Sequence, residues 1–81
     1  MKLTQETYSD KETAKRLKFY RSLAGITQRQ LTEETGLAKS SLVRCESGKA
    51  RISASVVHLY AEACGVSADI LLGIEDPSNG N

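Results

Sequence analysis

Thr27–Lys49, TQRQLTEETGLAKSSLVRCESGK, is the stretch whose reading decides the fold. Thr27 stands just before a helical run, where its hydroxyl can accept a hydrogen bond from a free backbone N–H of the first turn. Over Gln28–Thr35, Leu31 and Thr35 fall on one face, four positions apart. Gly36 follows where a left-handed residue is needed to end the helix. Leu37 is an inward plug, and a second helix runs from about Lys39 to Ser47. Its inner positions are Leu42 and Cys45, with Glu46 four residues after Leu42. Lys39, Ser40, Val43, Arg44 and Ser47 fall on the remaining surface. Gly48 is the second stop.

Working outward, a first helix is expected from Lys11 to Ala24, with Leu17, Tyr20 and Ala24 as its inner face and Gly25 as its end. Ser53 caps a fourth helix that continues to Cys64, with Val57, Tyr60, Ala61 and Cys64 inward and Gly65 as its stop. Ser67 caps a short fifth helix, Ala68–Leu72, closed by Gly73. The expected fold is all-α, five helices in one domain spanning residues 10–75. Residues 1–9 and 76–81 are expected to be mobile tails.

Two short helices joined by a tight Gly turn are the sequence form of the helix-turn-helix. In that motif the start of the second helix meets base edges in the major groove, and the first helix crosses the backbone. GITQRQLTEETGL followed by SSLVRCESGK, with GVSADILLG further on, resembles the phage repressor/Cro family of Xre-type regulators across about residues 15–73. The resemblance implies a double-stranded DNA partner. It assigns Lys39, Ser40 and Arg44 to base reading, and Ser41, Ser47 and Lys49 to backbone or mixed contacts. The chemistry agrees, since Lys and Arg donate to guanine O6 and N7, and Ser serves as donor or acceptor. Gln28 opens the second helix, and its amide, beside the free N–H groups of that turn, suits a phosphate oxygen. The bland alternative is that Lys39 and Arg44 belong to a solvated helix face.

The chain departs from the family pattern in two places. Thr32 stands where the family has a small Ala, and its hydroxyl can bond back to a helix carbonyl. Ala38 stands where Ser or Thr caps the reading helix, a loss of about 1 kcal/mol. The resemblance also implies an ion pair between Arg21 and Glu46 that fixes the angle of the reading helix. Phe19, Leu23, Val56, Leu59, Ile70 and Ile74 are apolar residues left outside the inner faces. The family's use of the fifth helix as a two-fold contact implies a homodimer built on Ile70, Leu71 and Ile74. A dimer would read a near-palindrome with half-sites about one helical turn apart.

Eighty-one residues make one small domain, too small for a sizeable substrate cavity. There is no membrane-length apolar run and no export signal, and two cysteines in that setting point to a reducing cytosol. The net charge is only +1, but it is unevenly spread. Asp10–Arg51 holds ten Lys or Arg against five Asp or Glu, whereas Ile52–Asn81 holds four acids and no base. The basic half is the half that carries the motif. Cys45 and Cys64 read as core fillers. His58 has no Cys/His cluster beside it, so no metal or other cofactor is expected. No nucleophile, base and orienting group stand at an informative spacing, so no enzyme is expected. Two functions remain: a sequence-specific transcriptional regulator, a dimeric repressor by resemblance, or an antitoxin-like interaction module of the same fold that binds DNA secondarily.

Overall fold

The computed structural model describes residues 10–75, so the tails expected at 1–9 and 76–81 lie outside the described residues. Five helices follow in the order α1 (Asp10–Leu23), α2 (Gln28–Thr35), α3 (Lys39–Glu46), α4 (Ala54–Cys64) and α5 (Ala68–Leu72). No strand occurs among the described residues. Leu17, Leu31, Leu42, Cys45, Val57, Tyr60 and Leu71 meet in a single core, so every helix contributes at least one buried side chain. Full burial of one such side chain is worth about 1.5–3 kcal/mol. Helix α1 packs on α3, α4 and α5, while α2 packs on α3 and α4. The core therefore holds α2 and α3 from behind and leaves their outer faces open.

Local chemistry sets the helix ends. Thr27 Oγ1 accepts from the Gln30 N–H at 3.0 Å, and Gln30 Oε1 accepts from the Thr27 N–H at 2.8 Å. This reciprocal box satisfies two donors at the start of α2. Gly36 ends α2 at φ 79°, a left-handed conformation that costs a residue bearing a Cβ. Ser53 and Ser67 cap α4 and α5 by accepting from the N–H groups of Val56 and Ile70. Ala38 begins α3 with no side-chain cap bond. Thr32 Oγ1 donates to the Arg29 carbonyl at 2.7 Å, the back-bond expected of a Thr at that position. The loop before α4 is tied to α1, because the Ile52 N–H donates to Asp10 Oδ1 at 3.2 Å.

Three expectations need correction. Helix α1 starts and stops one residue early, and Ala24 is exposed rather than inward. Helix α3 stops at Glu46, with Ser47 as its C-cap. Leu71, expected at a dimer contact, is fully enclosed in the core. Its side chain is enclosed with the core residues of α1 and α4, so it offers nothing to a partner. Val56 packs against the core, whereas Phe19, Leu23 and Ile74 are exposed as the left-over apolar set predicts. The Phe19 ring meets Tyr20 edge-on, with centroids 4.9 Å apart.

Candidate nucleic-acid interface

Helix α3 divides cleanly into an inner and an outer side. Leu42, Cys45 and Glu46 are buried, while Lys39, Ser40, Ser41, Val43, Arg44 and Ser47 are exposed. The three buried positions follow from the spacing i, i+3, i+4 on a helix. The exposed ones form a face of two cations, three hydroxyls and one apolar side chain. Lys49, just past the helix, is exposed as well.

Glu46 anchors this face from behind. Its carboxylate accepts from Arg21 Nε at 2.7 Å and from Arg21 Nη2 at 3.0 Å, a bidentate pair across 25 residues of sequence. Arg21 Nη1 donates onward to the Ile26 carbonyl at 2.7 Å. Tyr60 Oη donates to Glu46 Oε2 at 2.6 Å, and Gln28 Nε2 donates to Oε1 at 3.2 Å. One carboxylate thus joins α1, α2, α3 and α4. Burial alone would push the Glu46 carboxyl up. The bonds from Arg21, Tyr60 and Gln28 outweigh it and hold the carboxyl below its ordinary range. The Arg21 guanidinium is raised by its bond to Glu46, and burial pushes the Tyr60 phenol well up, helped by the same carboxylate.

The Arg21–Glu46 pair expected by resemblance is therefore present. The Tyr60 bond was not anticipated, because a Tyr at an inner helix position reads as a core ring. Gln28 is placed at the first position of α2, beside α3, but its amide nitrogen is bonded to Glu46. What it leaves toward the outside is its amide oxygen and its second N–H. At the far end of α3, Ser47 Oγ donates to the Arg44 carbonyl at 3.0 Å, and Arg44 Nη2 donates to the Lys49 carbonyl at 3.3 Å. Arg44 thus lies along the C-terminal end of α3, in the open. A shallow hollow of about 160 Å³ opens between α1, the start of α2 and α3, lined by Lys18, Gln28, Val43, Glu46 and Ser47. Lys18, on α1, escaped sequence reasoning because no motif spacing connects it to α3.

The thiols of Cys45 and Cys64 are pushed up by burial, which keeps them protonated as core-filling groups. Among the described residues, no three or more His, Cys, Asp or Glu are grouped to hold a metal ion. No described helix is long and apolar enough to cross a membrane.

A family model described as a helix-turn-helix domain matches residues 12–71, from α1 to the core residue of α5. The chain belongs to that family. The helix-turn-helix protein also resembles solved structures. It matches the restriction-modification controller protein C.AhdI from Aeromonas hydrophila with a TM-score of 0.71 at 24% identity, covering 76% of this chain and 94% of that one. The clp gene regulator ClgR from Corynebacterium glutamicum gives 0.73 at 24% identity, covering 78% and 67%. The hypothetical transcription factor NHTF from Neisseria gives 0.74 at 26% identity, covering 96% and 87%. No curated protein matches the sequence significantly. The five-helix fold is that of these helix-turn-helix proteins, as the sequence motif predicts.

Proposed function

We propose that this helix-turn-helix protein is a sequence-specific double-stranded DNA-binding transcriptional regulator. In this reading it acts as a dimeric repressor on a near-palindromic operator and performs no catalysis. The observation that carries it is the division of α3: its exposed side is polar and basic, and its buried side is locked to three other helices through Glu46. A face built this way is held rigid from behind and is open in front. Lys39, Ser40 and Arg44 read bases, and Gln28, Ser41, Ser47 and Lys49 contact the backbone. The side-chain bond from Gln28 to Glu46 uses one amide N–H and leaves the second, with the backbone N–H, for its part of this work.

The three solved structures are by name a restriction-modification controller protein, a gene regulator and a hypothetical transcription factor, which supports the regulatory role. For the dimer, Ile74, just past α5, is exposed and Ile70, on α5, is half-buried. An apolar hollow of about 360 Å³, lined by Ile52, Ala54, Val57, His58, Ala68 and Leu72, opens on the same short helix.

The test is selection of bound sites from random duplexes, followed by titration at several salt concentrations. Affinity should fall steeply with salt, and Arg44→Ala should cost about 1–3 kcal/mol and relax sequence preference at one position of each half-site. Weak binding indifferent to sequence would instead favour an antitoxin-like interaction module.

A further inference from the structure

Val43 stands out on the reading helix. It is the one apolar side chain on an outer face otherwise made of Lys39, Ser40, Ser41, Arg44 and Ser47, and it is 41% exposed. It lies four residues after Lys39 and three after Ser40, so it shares their stripe of the helix rather than the stripe of Leu42 and Cys45. Its side chain forms the apolar wall of the 160 Å³ hollow whose other walls are Lys18, Gln28, Glu46 and Ser47. The cations around it, Lys18 and Lys39, favour a polyanion at this place rather than an apolar protein surface. Within such a polyanion, the one apolar group that the major groove displays is the 5-methyl of thymine. The Ser hydroxyls and charged tips on this face are poor complements to that methyl, whereas the β-branched apolar side chain of Val43 suits it.

Resting on the regulatory reading above, we propose that Val43 is a specificity-determining residue that recognises the 5-methyl group of a thymine in each half-site. Its neighbours on the stripe supply the polar contacts that set the register, and Val43 distinguishes T·A from pairs without the methyl. This contact is hydrophobic and independent of the hydrogen bonds made by Arg44, so the two residues report on different positions of the site.

The experiment replaces each thymine of the selected duplex, one at a time, with deoxyuridine, which removes only the methyl and leaves the protein untouched. The expected result is one position per half-site where the replacement weakens wild-type binding about fourfold, the effect of withdrawing one buried methyl group. That penalty should vanish in Val43→Ser and persist in Arg44→Ala. Thermal unfolding of Val43→Ser, near that of the wild type, shows that the variant is folded. Replacement tolerated within twofold at every thymine would overturn the proposal, and so would an equal penalty in wild type and Val43→Ser. If wild type instead enriches no duplex at all, the regulatory reading itself fails, which is a different outcome from specific binding without a methyl effect.

Discussion

Glu46 accepts four hydrogen bonds from three side chains while being almost wholly buried. A buried charge so placed is costly to strand. Glu46→Ala would leave Arg21 without its counter-ion and should destabilise the fold by about 3–5 kcal/mol, measured by urea unfolding. Tyr60→Phe removes one bond to a charged acceptor and should cost about 1.5–3 kcal/mol in the same assay. The pH dependence follows from the lowered carboxyl of Glu46. A depressed carboxylate adds stability that is fully present above its unfolded value of about 4.3 and is lost as pH falls through the lower folded value. The stability gap between wild type and Glu46→Gln should therefore be wide at neutral pH and close under acid, and a gap constant with pH would contradict this. At this scale the sequence was legible where a resemblance linked two distant residues, as for Arg21 and Glu46. It was silent on Tyr60, because helical spacing places a ring inward without saying what its hydroxyl reaches. Gln28 was legible in position but not in partner, since the carboxylate that takes its amide is 18 residues away.

Elements end where capping chemistry ends them, and here that chemistry is written in single residues. Thr27, Ser53 and Ser67 each accept from the N–H three residues on, so the starts of α2, α4 and α5 could be placed from sequence to the residue. Ala38 alone lacks such a bond among the four caps seen here. Ala38→Ser should stabilise the fold by about 1 kcal/mol and slow hydrogen exchange in the first turn of α3, read by NMR. Unchanged exchange there would show that the first turn is already firm without a cap. Less was legible at the last turns. Ala24 continued the apolar spacing of α1 on paper, but the chain has already begun its turn at Gly25, so the side chain faces solvent. Helix α5 has five residues, too few for periodicity to show which of Ile70, Leu71 and Leu72 turns inward.

Over the whole molecule, the basic stretch from residue 10 to 51 contains α1, α2 and α3, and the acidic remainder contains α4 and α5. That separation was readable from composition alone. The proposed dimer contact lies within the acidic stretch. Ile74 is 73% exposed, so Ile74→Asp should leave thermal unfolding of the monomer nearly unchanged. The same change should shift sedimentation toward the monomer and weaken binding to a two-half-site duplex. An unshifted sedimentation profile would remove Ile74 from the interface. The split of α3 has one more consequence. The residues that hold the helix in place and the residues that face outward are different sets, so the outer set is modular. Ser40, Ser41 and Val43 could be exchanged together, as a cassette, without disturbing Leu42, Cys45 or Glu46. Under the proposed DNA-reading role, a lineage built on this scaffold can thus acquire a new address on DNA by a few surface changes, while the frame beneath stays as it is.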